Sequence, residues 1–292
     1  MKGLVRTLFV SALLLFGAAT ASPAAADNPP TTSGAPLYLA LGDSWAFGFG
    51  ATVPSEGGYV PQLHRALQQG PYDCLPTAEE QAADRCKQLQ LLNIAEGGET
   101  TPSMIVEQFP EAIPLLEARN GNLNPRDDVE VTTLHIGGND VFIPIIGACQ
   151  GEFSKCVAAI NFELGEYRTD LNNALSTLRE AAGDQAAIVI GTYDNPFRFT
   201  RCTLVSGISG VDVLADIVLE GAPAFGVPLG LHDIMRTVSA NPEIQAQVAD
   251  VYLKLNSPDD WLSSQDPRDC LHPTDSGYDK VTAAFVETLG LS

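Results

Sequence analysis

The chain has 292 residues, of which 45% are hydrophobic, and a formal net charge of −20 at pH 7. This apolar content is sufficient for a folded core and excludes a disordered chain in spite of the charge. The charge repels nucleic-acid phosphates and anionic lipid surfaces, so nucleic-acid binding and tight association with such membranes are excluded.

The first 26 residues have the order of a secretory leader. Basic residues at the start precede an apolar stretch from Leu8 to Ala19, and three alanines follow at 24–26. This pattern predicts a signal peptide over 1–26 that is cut after Ala26, with Ala21 as the other candidate. The apolar stretch is shorter than the roughly 20 residues of a spanning helix, which disfavours a retained membrane anchor.

The rest of the chain has the organisation of one exported domain. Residues 27–36 are rich in proline, threonine and serine, which predicts a flexible mature N-terminus. Residues 37–292 contain no internal repeat or long linker, and their length is typical of a single domain. Loss of the leader removes two basic and no acidic residues, which changes the charge from −20 to −22. We expect a secreted, extracellular monomer.

The cysteine content of this exported chain predicts disulfide bonds. Six cysteines form three disulfides, and the 15 possible pairings are not distinguished by sequence alone. Pairing neighbours along the chain gives our prediction of Cys74–Cys86, Cys149–Cys156 and Cys202–Cys270. A zinc site is the alternative, but no cysteine or histidine cluster has ligand spacing. No glycine-rich phosphate loop is present either, so we expect neither a metal nor a cofactor.

Short apolar runs alternate with amphipathic segments along the chain. Five runs predict buried strands: Leu37–Leu41, Leu89–Ile94, Val129–Ile136, Ala187–Gly191 and Val248–Leu253. Five segments have helical spacing: Tyr59–Gln69, Pro102–Ala118, Phe162–Ala182, Leu231–Ser239 and Thr274–Leu289. The alternation predicts an α/β protein, a three-layer α/β/α sandwich with a five-stranded parallel sheet. Its functional site is expected beyond the carboxyl ends of the strands.

Residues with the chemistry of acyl transfer follow these strands. Ser44 comes directly after the first run and is placed to act as a nucleophile. His272, just before the last helix, can take the serine proton, because its ordinary pKa lies near neutral pH. Asp269 can accept the other ring N–H of His272. A backbone carbonyl can do the same, which would leave a Ser–His dyad.

Three N–H groups near the same edge can stabilise an oxyanion. They are the Ser44 backbone N–H, the Gly98 backbone N–H after the second strand and the Asn139 side-chain amide after the third. Gly97 is the alternative backbone donor. Asp43 is expected to bond within its own turn and to fix the serine. The other histidines, His64, His135 and His232, lie inside predicted elements and favour packing roles.

Four sequence blocks together resemble the SGNH/GDSL hydrolase family. They are Gly42-Asp43-Ser44, Gly98, Gly137-Gly138-Asn139-Asp140 and Asp269-Cys270-Leu271-His272. The leader, the cysteines and the segment Tyr193–Phe197 resemble the secreted actinobacterial esterase/lipase branch. The resemblance implies a flavodoxin-like fold and esterase or lipase activity.

The favoured function is hydrolysis of a carboxylic, fatty-acyl ester through an acyl-serine intermediate. The substrate is then a small-molecule or lipid ester. The apolar stretch Val141–Ile146 lines an acyl pocket in one interpretation and is helix core in the other. A carbohydrate acetylesterase and a phospholipase are the enzymatic alternatives. A flavodoxin-like binding module is the alternative from another class, and it gives Asp269 and His272 no role.

Overall fold

Five parallel strands form the centre of the molecule. The computed structural model describes residues 34–70, 89–149, 152–199, 202–203, 205, 210–266 and 268–291. The strand order is β2-β1-β3-β4-β5, and every pairing is parallel. The strands are β1 (Leu37–Gly42), β2 (Gln90–Asn93), β3 (Val129–His135), β4 (Ala187–Gly191) and β5 (Gln247–Ala249).

Ten α-helices surround this sheet in the described part of the chain. The helices are α1 (Ser44–Phe47), α2 (Pro54–Gly57), α3 (Tyr59–Gln69), α4 (Thr101–Glu107), α5 (Phe109–Asn120), α6 (Gly138–Ala148), α7 (Phe153–Ala182), α8 (Val211–Glu220), α9 (Leu231–Ser239) and α10 (Asp275–Thr288). Three single 3₁₀ turns lie at Pro223–Phe225, Pro258–Asp260 and Leu262–Ser264. None of the described helices combines the length and the hydrophobicity that crossing a bilayer requires.

The helices form a layer on each side of the sheet. Parallel strands are joined by right-handed crossovers, so a change of direction along the sheet changes the covered face. The chain moves one way from β1 to β2 and the other way from β2 through β5. Helices α1–α3 therefore share a face with α10, and α3 packs on α10. Helices α5 and α9 pack on α7 in the opposite layer. The predicted three-layer α/β/α fold is confirmed.

Burial explains why β1 and β3 are the central strands. All six residues of β1 are buried, and six of the seven residues of β3 are buried as well. A strand covered on both faces needs apolar residues at successive positions, whereas a strand with one wet face alternates. The two edge strands are shorter and less buried. The carboxyl ends of β1 and β3 consequently emerge at the centre of the sheet edge.

Several element boundaries differ from the predictions. The predicted helix over 102–118 is two helices, because the chain turns at Gln108 and a proline follows at Pro110. Helix α7 begins at Phe153, nine residues before the predicted start. The last strand ends at Ala249, four residues before the predicted end at Leu253, and Leu253 itself lies in a turn with a left-handed φ of 65°. Helices α1, α2 and α8 were not predicted, and α6 was predicted only in the interpretation that places Val141–Ile146 in a helix core.

Two disulfides lie within the described residues. Cys149, after α6, bonds to Cys156 in α7 with their Cα atoms 4.5 Å apart. Cys202 bonds to Cys270 with a Cα separation of 5.5 Å. Both pairs are those expected from chain order. The predicted pair of Cys74 and Cys86, the leader at 1–26 and most of the N-terminal segment 27–36 lie outside the described residues.

A close backbone contact ends β1. Gly42 has a φ of 129°, and a Cβ atom there would lie 2.2 Å from the carbonyl oxygen of His135. The side-chain amide of Gln108 donates to the Gly42 carbonyl at 2.8 Å and accepts from its N–H at 2.9 Å. Both bonds are buried. Gly42 therefore fits only as glycine and is held from both sides.

The Gly42→Ala variant should lose about 3 kcal/mol of unfolding free energy, because the added methyl group strains φ and displaces the His135 carbonyl. Urea unfolding measures the change. Gly165→Ala is the matched control: Gly165 lies in α7 with open space around its Cα, and alanine there should add up to about 1 kcal/mol. Unchanged stability of both variants would contradict the importance of the Gly42 contact.

Candidate active site

Ser44 is the first residue of α1 and follows β1 after a one-residue turn. The Asp43 side chain caps the helix by accepting a hydrogen bond from the Trp45 N–H at 2.9 Å. The Asp43 N–H donates to the carbonyl of His135 at 2.8 Å. These bonds fix the backbone on both sides of the serine. Ser44 itself is half-buried.

The structure brings Ser44, His272 and Asp269 together. His272 Nε2 lies 2.8 Å from Ser44 Oγ, and His272 Nδ1 lies 2.8 Å from both carboxylate oxygens of Asp269. The serine hydroxyl can donate to Nε2 while Nδ1–H donates to the carboxylate. This tautomer prepares His272 to remove the serine proton. The partner of His272 Nδ1 is thus the carboxylate of Asp269 and not a backbone carbonyl, which was the alternative expected from the sequence.

The loop that carries His272 is fixed by three contacts. The indole N–H of Trp45 donates to the carbonyl of Leu271 at 3.0 Å. The carbonyl of His272 accepts from the Leu262 N–H at 2.9 Å. The Cys202–Cys270 disulfide attaches the same loop to the segment after β4. Trp45 therefore connects the helix of the serine directly to the loop of the histidine.

The hydrogen bonds of the three N–H groups expected to form an oxyanion site differ in kind. The backbone N–H groups of Ser44 and Gly98 have no hydrogen-bond partner among the described residues, and neither has that of Gly97. Gly98 has a φ of 88°, a conformation that glycine adopts readily. Asn139 Nδ2 donates to the carbonyl of Glu99 at 2.8 Å, which orients the amide and leaves its second N–H for a substrate oxygen.

A buried carboxyl–phenol pair lies behind the serine, and sequence analysis did not find it. The Tyr193 hydroxyl donates to Asp43 Oδ2 at 2.5 Å, and both residues are buried. Burial raises the pKa of Asp43 to about 7, against the hydrogen bonds from Tyr193 and Trp45 that lower it. The only signal was the resemblance of Tyr193–Phe197 to one branch of a family. Asp43 is also expected to hold its turn, as the sequence indicates.

Asp140 links the two loops that carry Gly98 and Asn139. Both of its carboxylate oxygens accept from the Thr101 N–H, at 2.9 and 3.0 Å. Burial raises the pKa of Asp140 to about 6. The bond joins the first turn of α6 to the first turn of α4 and so connects the segments that carry Asn139 and Gly98.

The remaining histidines have hydrogen-bond partners other than Ser44. His135 is fully buried in β3, its Nε2 bonds to the Thr192 carbonyl at 2.9 Å, and burial lowers its pKa to about 3. His232 accepts from the Tyr193 N–H through Nε2 and bonds to Glu220 through Nδ1. His64 contacts the Leu89 carbonyl. The expected packing roles of these three residues are confirmed.

One group of carboxylates has spacing that would suit a cation. Oxygens of Glu96, Glu99 and Glu107 lie within 4.8 Å of one another near Gly98. The Glu99 carboxylate already accepts from the Ser103 hydroxyl. Such groups are common without an ion, and this one identifies no metal.

The sequence profile of the GDSL-like lipase/acylhydrolase family matches residues 40–280. The chain belongs to this family. Members are ester hydrolases, and we therefore describe the protein as a carboxylic ester hydrolase. A search of curated protein sequences finds no match.

Solved structures share the fold at low sequence identity. The lipase Lip_vut3 from a goat rumen metagenome aligns with a TM-score of 0.56 at 19% identity, over 86% of this chain and 96% of its own. The extracellular lipase of Streptomyces rimosus aligns with a TM-score of 0.53 at 18% identity, over 87% of this chain and 100% of its own. Phospholipase A1 of Streptomyces albidoflavus aligns with a TM-score of 0.53 at 19% identity, over 87% of this chain and 99% of its own.

The raised pKa of Asp43 predicts a pH dependence of stability. In the unfolded chain this carboxyl has its ordinary pKa near 4, while in the folded state the pKa is about 7. Between these pH values the folded state holds a proton that the unfolded state releases. The free energy of unfolding consequently falls as pH rises from about 4 to 7.

The Asp43→Asn variant has no charge to bury, so its stability relative to wild type should rise by on the order of 2 kcal/mol between pH 5 and pH 8. Urea unfolding at the two pH values measures this difference. The control Asp259→Asn changes an exposed carboxylate and should show the same difference from wild type at both. If the difference in unfolding free energy between Asp43→Asn and wild type is the same at both pH values, the raised pKa of Asp43 is contradicted.

The two described disulfides should differ in their effect on catalysis. Cys270 is two residues from His272, so we expect the Cys202→Ser/Cys270→Ser variant to lose at least about tenfold in kcat with KM nearly unchanged. The control Cys149→Ser/Cys156→Ser should retain wild-type kcat. The Cys202–Cys270 bond closes a loop of 68 residues, and its loss should lower the free energy of unfolding by about 4 kcal/mol. The Cys149–Cys156 bond closes a loop of 7 residues, and its loss should lower it by about 2 kcal/mol. Equal kcat values in the two variants would contradict a role in fixing His272.

Proposed function

We propose that the protein is a secreted serine hydrolase that cleaves fatty-acyl esters through an acyl-serine intermediate, with Ser44, His272 and Asp269 as the catalytic residues. The observation that carries this proposal is the continuous hydrogen-bond chain from the Asp269 carboxylate through the His272 ring to Ser44 Oγ, with 2.8 Å at each step. A flavodoxin-like binding module would have no use for this chain.

In the first half-reaction Ser44 Oγ attacks the ester carbonyl while His272 Nε2 takes the hydroxyl proton. The resulting oxyanion is stabilised by the N–H groups of Ser44 and Gly98 and by the Asn139 amide. His272 then gives its proton to the leaving alcohol oxygen. The C–O bond breaks, the alcohol departs and the acyl group remains on Ser44.

In the second half-reaction water replaces the alcohol. His272 takes a proton from the water as its oxygen attacks the acyl carbon, and the same N–H groups stabilise the second oxyanion. His272 returns the proton to Ser44 Oγ, which releases the carboxylic acid. Asp269 keeps its hydrogen bond to Nδ1–H throughout and stabilises the imidazolium.

The acyl side of the site supports a fatty-acyl preference. Asn139 and Ile143 are one helical turn apart on α6, so they lie on the same face. Ile143 is 45% exposed, which leaves an apolar surface beside the amide that would bind the acyl oxygen. Val141, Phe142 and Ile145 are buried in the core, so half of the apolar stretch 141–146 is helix core. Two of the structural neighbours are described as lipases.

Secretion is supported by the leader-like sequence at 1–26 and by the disulfides, which form in oxidising compartments. The N-terminal sequence of protein recovered from culture medium tests this part of the proposal. It should start at Asp27, or at Ser22 if cleavage follows Ala21. Full-length protein retained in the cell would contradict secretion.

The catalytic proposal is tested with p-nitrophenyl esters from acetyl to palmitoyl. Ser44→Ala and His272→Ala should each lose about 10⁴-fold or more in kcat, and the double variant should be little worse, because the residues act as a unit. His64→Gln is the control and should retain activity. Multiplicative losses in the double variant would contradict a shared mechanism. A maximum at acetyl would replace the fatty-acyl substrate with the acetylesterase alternative.

A further inference from the structure

The proposed reaction depends on the distance between two separate segments of the chain. Ser44 lies on α1, and His272 lies 228 residues later on a loop of residues 269–273, which we call the histidine loop. His272 can take the serine proton only while its Nε2 stays within hydrogen-bond distance of Ser44 Oγ. A misplacement of about 1 Å can cost roughly 100-fold in rate. A contact between α1 and the histidine loop therefore bears directly on catalysis.

Most polar contacts of the histidine loop attach it to segments other than α1. The His272 carbonyl accepts from the Leu262 N–H, and the disulfide at Cys270 leads to the segment after β4. The indole N–H of Trp45, in contrast, comes from α1 and donates to the Leu271 carbonyl at 3.0 Å. Apart from the reactive bond of His272 itself, this is the only hydrogen bond between α1 and the loop within the described residues.

The two ends of this bond are next to the two reacting residues. Trp45 directly follows Ser44 in the chain, and Leu271 directly precedes His272. A shift of the Leu271 carbonyl moves the peptide group that leads into His272. The bond thus limits the separation of the serine and the histidine at the shortest possible range along the chain.

The indole of Trp45 is held in one orientation. Its residue is 4% exposed, and its ring centroid lies 4.9 Å from that of His135, 5.2 Å from Tyr193 and 5.9 Å from Trp261. The Trp45 backbone N–H donates to the Asp43 carboxylate at 2.9 Å. Close packing on several sides leaves a ring little room to rotate, so its N–H points in a fixed direction. Trp45 is therefore a rigid reference for the histidine loop.

Phe49 also contacts His272, but this contact is less directional. The two ring centroids are 4.5 Å apart, and Phe49 is 46% exposed. Dispersion between the rings changes little with small rotations, whereas a hydrogen bond weakens steeply as its angle departs from linear. The bond from the Trp45 indole to the Leu271 carbonyl is consequently the more specific constraint on the loop.

We propose that Trp45 is a positioning residue for the reaction. Its indole N–H holds the Leu271 carbonyl and so keeps His272 Nε2 within reach of Ser44 Oγ. The inference rests on the proposed acyl-serine mechanism and adds to it a residue that acts through His272 and does not touch the substrate.

The test removes the indole N–H and keeps the shape of the side chain. In benzothienylalanine a sulfur atom replaces the N–H of tryptophan, and this amino acid can be introduced at one chosen position. The chain has two tryptophans. Trp261 is the matched control, because it is fully buried and packs on Trp45, but its indole N–H has no hydrogen-bond partner among the described residues. The replacement therefore removes a hydrogen bond at Trp45 and none at Trp261.

Trp45→benzothienylalanine should lower kcat for p-nitrophenyl butyrate about tenfold or more and leave KM within about twofold, because the substrate surface is unchanged. Trp261→benzothienylalanine should stay within about twofold of wild type in both constants. A fluorophosphonate, allowed to react to completion with the serine, counts the active molecules in each preparation. The kcat values then refer to active enzyme, so a loss of folded protein is not mistaken for slower turnover.

The proposal is overturned if the two analogues have the same kcat per active molecule, or if the Trp45 analogue raises KM as much as it lowers kcat. It is also overturned if a smaller number of active molecules accounts for the whole loss, since Trp45 then serves folding alone. Ser44→Ala separates this inference from the proposed function. Hydrolysis that survives Ser44→Ala contradicts the acyl-serine mechanism, whereas its abolition together with a wild-type kcat for the Trp45 analogue contradicts only the role of Trp45.

Discussion

The contact between Gly42 and the main chain of His135 positions the rest of the site. β1 and β3 approach so closely there that no side chain fits. A Cβ atom on Gly42 would lie 2.2 Å from the carbonyl oxygen of His135. The next residue, Asp43, bonds to that same carbonyl and caps the helix that starts at Ser44. On the side of β1 that faces β2, beyond the end of β2, the side-chain amide of Gln108 bonds to the N–H and the carbonyl of Gly42. Ser44, the proposed nucleophile, therefore lies on backbone that the two central strands and one buried amide fix together.

Three histidines approach this region, and their hydrogen-bond partners give them different roles. His135 bonds to a carbonyl and is kept neutral by burial, which lowers its pKa to about 3. His232 uses Nε2 to accept from a backbone N–H, so this nitrogen is not available as a base. His272 has a carboxylate on Nδ1 and the hydroxyl of Ser44 on Nε2. The partner of the second ring nitrogen decides which histidine can remove a proton.

The sequence predicts the features that depend on local pattern and chain order. The apolar runs predict the strands, because a parallel sheet covered on both faces needs unbroken hydrophobic segments. The candidates Ser44 and Asn139 follow from the rule that functional residues lie beyond strand ends, and the candidate His272 follows from its place just before the last helix. The Asp43–Tyr193 and Gln108–Gly42 bonds could not be predicted, since their partners are 150 and 66 residues apart and each looks like ordinary loop chemistry. The division of the predicted helix at Gln108, in contrast, accompanies Pro110 and could have been predicted from the sequence.

The two carboxyl groups near Ser44 have opposite environments, and this difference suits the reaction. Asp269 is only half-buried and accepts from the ring nitrogen that becomes positively charged when His272 takes a proton. Asp43 is buried against Tyr193, and burial raises its pKa to about 7, so it carries less negative charge at neutral pH than an exposed carboxyl would. A full charge at Asp43 would repel the oxyanion that the proposed mechanism places beside the Ser44 N–H. Negative charge is therefore concentrated on the side of the imidazole and reduced behind the nucleophile.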